Sequence, residues 1–417
     1  MTELGRRILS QCNLIDGIQA EPLQKALVVI EGGTISWAGR QCDWGDARQD
    51  DEVIDMKGMF ILPGLWDMHI HLDYKGIDEL LAASTDSSTN TLFAYRRALT
   101  FLNAGVTSLR VVGTKGGLDF ALRSGIESGT FIGPRIVTAG EAVASTGGHG
   151  SPQGRGCDGP YEFRRAARQA LWQGADLVKV MVTGGIAGMH EAFDAPQTLR
   201  DEVAAAVEVA HNWGKHVSGH IASTQAAIMC SEIGLDTVEH GYALDEEAIK
   251  VMAANGTAYI PTLVVTDNPS YWEGIGTPGW AVDKIRKAYN LHHRAVELAI
   301  EAGIKLGVGT DVPTAFMDGT LVTIREMEAL ARLGASPREV IRWATRVPAE
   351  ICGFADELGT IETGKSADLI AVPDNPYDSV SHLRDVRFVM ARGSIVKSSL
   401  VGGPQVGLLA GFLEGSS

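Results

Sequence analysis

The sequence predicts an α/β protein: a (β/α)8 barrel of the TIM type, with a small composite β domain built from both ends of the chain. Three observations lead there. Short apolar strands alternate with helix-length segments across residues 62–310, and the helices stop at single glycines such as Gly105, Gly174, Gly234 and Gly303. Polar residues also close many different strands, as the C-terminal face of a barrel requires. An open doubly wound sheet is the rival, but no GxGxxG follows the first strand.

A chain of 417 residues accommodates one barrel of about 250 residues and a smaller domain. Residues 1–57 read as short strands and turns, at 7–12, 26–31, 34–39 and 52–56, and form the first part of the β domain. The barrel takes 58–358. Its strands are expected at the apolar run ending in His71, then at 107–112, 135–139, 176–183, 216–220, 237–240, 258–264 and 304–310. Helices are expected between them at 92–104, 120–127, 161–173, 199–213, 225–232, 245–254 and 285–302, followed by 321–333 and by a segment opening at Pro337. From 359 the pattern returns to strands, so both ends of the chain are β and are expected to pair. The Gly-rich tail after Leu400 is expected to be frayed or to act as an intersubunit arm.

Composition narrows the function. The formal net charge of −15 comes from scattered carboxylates with no basic stripe to offset it, which excludes nucleic acid and anionic membranes as partners. No apolar run reaches signal-peptide or membrane-span length, so a cytoplasmic protein is expected. The cysteines (Cys12, Cys42, Cys157, Cys230, Cys352) are odd in number and lack CxxC spacing, which points to free thiols, with Cys157 the accessible one.

The chemistry starts at Asp67-Met68-His69-Ile70-His71. Side chains alternate along a strand, so His69 and His71 point the same way, about 7 Å apart, close enough to share a metal ion. Two packed histidines are the plainer alternative. Later strands supply Lys179, His220, His240 and Asp311 at or near their ends. A lysine among valines and methionines is costly as a bare ammonium. Converted by carbon dioxide to a carbamate, Lys179 becomes an anionic ligand able to bridge two divalent ions, and it, a hydroxide and Asp311 together offset most of their charge. Against this stand a lysine snorkelling to the rim, buried core histidines and a capping aspartate.

These motifs resemble the amidohydrolase superfamily, in its binuclear branch with a carboxylated lysine. The resemblance spans Leu62-Pro63-Gly64-Leu65, the HxH pair, Gly174-Ala175-Asp176 before Lys179, Gly184-Gly185 after it, Glu239-His240-Gly241, Gly309-Thr310-Asp311 and the late Gly359-Thr360-Ile361 to Asp368-Leu369. The loop Thr146-Gly147-Gly148-His149-Gly150 is similar to that of the imidazolonepropionase-like group, which includes metal-dependent Xaa-Pro dipeptidases, N-acyl amino acid carboxypeptidases and ochratoxin-hydrolysing amidases.

The resemblance implies that His69, His71, Lys179 and Asp311 hold one metal, and Lys179, His220 and His240 the other, with zinc the expected ion. It implies attack by a metal-bridging hydroxide on an amide or peptide bond of a dipeptide or N-acyl amino acid, with Asp311 moving the proton. A cyclic amide, carbamate or lactone is the alternative substrate, and a deaminase the more remote one. His149 and Tyr242 are the expected substrate contacts, His149 with a catalytic part in stabilising the oxyanion. Weaker nominations are His190 as a further substrate contact, Arg155 and Arg325 for a substrate carboxylate, and an aromatic lid of Tyr271, Trp272 and Trp280. A small-molecule substrate and a homo-oligomer complete the expectation.

Overall fold

A computed structural model describes residues 6–45, 47–73, 87–151, 154–311 and 321–400. The tail beyond Leu400 lies outside the described residues. The chain divides into two compact units, one made of Met1–Trp66, Ala98–Ser108 and Ser336–Ser417, the other of Asp67–Arg97 and Leu109–Ala335.

In the first unit both chain ends share one eight-stranded sheet. Phe60–Pro63 is its seam, pairing parallel to Arg7–Leu14 and antiparallel to Leu369–Val372. Leu369–Val372 in turn pairs antiparallel to Phe388–Ala391, which pairs with Ser394–Ser398. Alternation puts Leu9, Val28, Ile30, Ile61, Leu369, Phe388 and Met390 into one buried cluster. Residues 359–361, expected as a strand, form none, and 385–387 lead into Phe388 from a 3-10 turn.

The second unit carries the alternating pattern. Six parallel strands run in the order Arg155–Cys157, Val143–Ser145, Leu177–Met181, His216–Ser223, Thr237–Ala243 and Ala258–Ile260. Leu65–Ile70, Val106–Val111 and Arg135–Thr138 form a three-stranded sheet, of which residues 67–70, 109–111 and 135–138 fall in this unit. Helices Gly159–Trp172, Arg200–Asn212, Thr224–Ile233, Glu246–Asn255 and Gly279–Ala302 follow the expected order. Gly234 (φ 100°) and Gly256 (φ 72°) stop two of them in the left-handed conformation that glycine adopts without a Cβ penalty.

Three expectations are corrected. The 304–310 stretch is not a strand: only Leu306 bridges to Tyr259. Its backbone is instead shared between neighbours, since Tyr259 donates to Lys305, Gly307 to Tyr259, Met68 to Val308, and both Thr310 and Asp311 to His69. The 258–264 strand ends at Ile260, because Thr262 turns into the left-handed region (φ 53°) and opens a 3-10 turn. Two short strands that sequence reading missed, Val143–Ser145 and Arg155–Cys157, flank the loop that carries His149, and Cys157, on the second of them, is buried rather than accessible.

Candidate active site

Every residue of the expected cluster lies in the second unit. Leu65–Ile70 is buried throughout and delivers His69, with His71 one residue beyond its end. Leu177–Met181, His216–Ser223 and Thr237–Ala243 deliver Lys179, His220 and His240. Asp311 is pinned by its own backbone N–H on the His69 carbonyl at 2.7 Å. Asp67 reinforces that alignment by accepting from the Thr310 N–H (3.1 Å), the Thr310 hydroxyl (2.8 Å) and the Thr323 hydroxyl (3.0 Å).

Asp311 is the hub. Its Oδ1 lies 3.4 Å from His69 Nε2 and 3.3 Å from His71 Nε2, and its Oδ2 lies 3.8 Å from His240 Nδ1. His69, His240 and Asp311 each offer one ligand atom within 4.8 Å of the others. That grouping cuts across the expected division into two sets. The His220 ring sits 4.3 Å from that of His240, and 4.3 Å from that of His149 on its other side. Lys179 Nζ is buried and has no hydrogen-bond partner among the described residues.

Tautomers follow from the second nitrogens. His71 Nδ1 meets the Gly113 carbonyl at 2.8 Å and His69 Nδ1 meets the Glu239 carboxylate at 2.7 Å, both pure acceptors, so each Nδ1 donates. In the neutral ring each Nε2 then turns a lone pair toward Asp311. Acceptors facing one another require a cation between them, a proton or a metal ion, and the carboxylate-backed His69 is the usual dress of a metal ligand. Burial opposes charge on His71, but Asp311 outweighs it and raises the pKa. Burial likewise opposes the Asp311 carboxylate, yet His69 and His71 hold it well below the usual range. Burial and neighbouring cations keep His220 and His240 neutral, the form that ligates.

The frame beneath the cluster is a buried polar network. Glu239 accepts from Arg110 Nη2 (2.6 Å), the Ser218 hydroxyl (2.7 Å) and the Thr237 hydroxyl (2.6 Å) on Oε1, leaving Oε2 for His69. Arg110 outweighs the cost of burial and pulls the Glu239 carboxyl far below its ordinary value. Backbone strain gathers at the same place: His240 (φ 67°), Thr262 (φ 53°) and Asp311 (φ 53°) all adopt left-handed conformations, at about 1–3 kcal/mol each. The Thr262 hydroxyl meets His240 Nδ1 at 2.7 Å.

Two further groups border the cluster. Tyr242 stacks on His240 (5.3 Å, 28°) and meets Phe193 and His292 edge-on. Burial pushes its phenol well above the ordinary value, and burial takes the neighbouring His292 down to about 3. His149 hydrogen-bonds through Nδ1 to Glu191 at 2.6 Å.

Residues 60–396 match the model of the amidohydrolase family. The chain belongs to that family. It is 28% identical to an ochratoxinase of Aspergillus niger over 424 aligned residues, covering 93% of this chain and 86% of the relative. Among solved structures it is similar to a Xaa-Pro dipeptidase with methionine bound in the active site (TM-score 0.87, 30% identity, 94% and 100% of the two chains). A prolidase complexed with N-methylphosphonate-L-proline is similar to the same degree (TM-score 0.87, 27% identity, 94% and 100%). By membership this amidohydrolase is an enzyme, a hydrolase of amide bonds.

The weaker nominations fare unevenly in the amidohydrolase. Arg155 is occupied by Gln169, and His190 is exposed on its loop. Arg325 lies half-buried near the start of the helix Val322–Arg332. Trp272 is buried against Tyr271 (5.8 Å, edge-on), as a packing residue would be, and Trp280 lies under the Lys284 ammonium. Among the described residues no helix is long and apolar enough to cross a membrane.

Glu326 was not foreseen. Fully buried, it accepts the backbone N–H groups of Leu263 (2.8 Å) and Val264 (2.7 Å) and so fastens the turn after Thr262. Burial dominates these bonds and pushes its carboxyl up from 4.5 to about 8. Between those values the unfolded chain loses this proton and the folded chain keeps it, so stability falls as pH rises through the window. The slope from this one group is at most about 1.4 kcal/mol per pH unit. Glu326→Gln is expected to flatten that fall in urea melts between about pH 5 and about pH 8; an unchanged slope would show that the group titrates normally.

Proposed function

We propose that this amidohydrolase is a binuclear metal enzyme, built on a (β/α)8 barrel, that cleaves the amide or peptide C–N bond of a dipeptide or N-acyl amino acid. The observation that carries the proposal is the convergence of imidazole lone pairs and the Asp311 carboxylate beside a buried lysine amine that has no partner among the described residues. That donor set fits divalent ions, zinc first among them for imidazole and carboxylate. His69, His71, His220, His240 and Asp311 would hold the metals, with Lys179 as a carbamate between them. When bound, such ions depress the pKa of water and polarise a carbonyl.

The protein's own groups then have distinct tasks. Asp311 takes a proton from the attacking water and passes it to the leaving amine nitrogen. His149 donates toward the carbonyl oxygen as charge develops on it. Tyr242, held between His240 and Phe193, contacts the part of the substrate beyond the scissile bond. The similarity to a Xaa-Pro dipeptidase solved with methionine and to a prolidase solved with N-methylphosphonate-L-proline favours a substrate that leaves an amino acid. The hydrogen bond from the Asp176 N–H to the Thr138 carbonyl, and those that link Tyr259 with His69 through residues 305–311, support reading the two sheets as arcs of one barrel.

The deciding experiment combines elemental analysis with a panel of Xaa-Pro dipeptides, N-acyl L-amino acids, cyclic amides, carbamates, lactones and aminopyrimidines. The expected result is two equivalents of divalent metal and release of a free amino acid. No stoichiometric metal, or ammonia as the sole nitrogen product, overturns the proposal. Thr262→Val is a finer test: it keeps shape but removes the hydroxyl from His240, and metal affinity measured against a chelator is expected to weaken by about 10–100-fold.

A further inference from the structure

The loop after Leu177–Met181 forms a closed polar assembly around His149 that no motif announces. Glu191 Oε1 accepts from His149 Nδ1 at 2.6 Å and from the Gly185 N–H at 3.2 Å. Glu191 Oε2 accepts from Gln197 Nε2 at 2.6 Å, and Gln197 Oε1 accepts the His149 backbone N–H at 2.7 Å. Gln197 thus ties together the backbone of His149 and the carboxylate that holds its ring. Lys284, on Gly279–Ala302, donates to the carbonyls of Gly185 (3.0 Å) and Gly188, fixing the loop from outside.

Space is as restricted as the bonding. A Cβ on Gly185 would lie 2.2 Å from His149 Cε1 and 2.4 Å from Nε2, and one on Gly148 would lie 3.0 Å from Gln197 Oε1. The imidazole is therefore pressed flat against a bare backbone, with its other side toward His220, 4.3 Å between ring centres. With Nδ1 committed to a carboxylate, the ring has one remaining polar atom, Nε2.

We propose that Glu191, braced by Gln197 and seated over Gly185, is a positioning residue that fixes the rotamer of His149: its carboxylate takes Nδ1–H, and with both ring nitrogens protonated Nε2–H faces the reacting carbonyl. The inference rests on the role proposed above for His149. An unbraced imidazole could flip about its Cβ–Cγ bond and divide its time between two nitrogens; the carboxylate selects one. The same loop carries Phe193 against Tyr242, so one segment orients both candidate substrate contacts.

The test uses full-length, metal-loaded enzyme and the fastest-cleaved member of the panel above. Glu191→Gln keeps the size of the side chain but not its charge; Gly185→Ala leaves Glu191 intact and displaces the ring. Both are expected to lower kcat by about 10–100-fold, with KM within about threefold and parental metal content and Tm. Combined with His149→Ala, Glu191→Gln is expected to add less than about twofold, because its effect passes through that ring. In 15N-histidine spectra the signals lost in His149→Ala should report a protonated Nδ1. Should His149→Ala itself keep parental kcat, the role of His149 falls and this inference with it. Impairment in His149→Ala together with parental kcat in both loop variants overturns the inference alone, as does a spectrum showing an unprotonated Nδ1.

Discussion

Asp311→Asn is expected to keep its metals and lose turnover by about 10²–10⁴-fold in kcat. The reason lies in how the residue is held. Its backbone N–H bonds to the His69 carbonyl, and Asp67 fastens the preceding Thr310 through two contacts and is itself held by Thr323, so the backbone that carries the side chain stays in place whatever its charge. Asparagine still presents one oxygen toward the His69 and His71 nitrogens. It cannot accept and return a proton, which is the task assigned to Asp311. Removing the carboxylate also removes what raises the His71 pKa, so the imidazoles remain neutral and able to ligate. Metal content by elemental analysis and kcat on the best substrate test both halves; near-parental kcat would remove Asp311 from proton transfer.

Much of this site was legible in the sequence because it is written in strand periodicity. Two histidines one residue apart on a strand share a face, which singles out His69 and His71; His220 and His240 were expected to end their strands, and those strands instead run on to Ser223 and Ala243, yet the two rings still meet at 4.3 Å. The glycine stops behaved as their lack of Cβ dictates. The misses have a common physical form. Glu191 lies 42 residues from His149 along the chain, and only a loop conformation joins them. Thr262 and Glu326 act on a backbone turn whose left-handed φ a β-branched residue does not advertise. The strand expected at 304–310 failed because its N–H and carbonyl groups serve two neighbours in turn instead of one ladder. A signal was available for the Arg110–Glu239 pair: a residue of each sign stands in one of two buried strands that carry no other Asp, Glu, Lys or Arg, and neither can be buried alone.

That pair also decides what Lys179 can be. Glu239 might have neutralised the buried ammonium, but Arg110 already occupies Oε1 and His69 occupies Oε2. Desolvation accordingly takes the amine down to about 8, against the pull of Glu239 and Asp311, and its Nζ meets no acceptor among the described residues. A buried donor so placed is a cost to the fold unless something reacts with it or replaces its proton. Lys179→Met, similar in volume and free of charge, is therefore expected to leave the metal-free protein at least as stable as the parent in urea melts. Lys179→Ala is expected to bind fewer than two metals and to lose turnover by about 10³-fold or more, with partial recovery on adding formate or acetate, which can enter the space vacated and supply the missing carboxylate oxygens. Lys179→Met, with that space filled, should show the same loss without the recovery. A fully loaded, active Lys179→Ala enzyme would refute the carbamate, and equal recovery of both variants would place the added acid elsewhere.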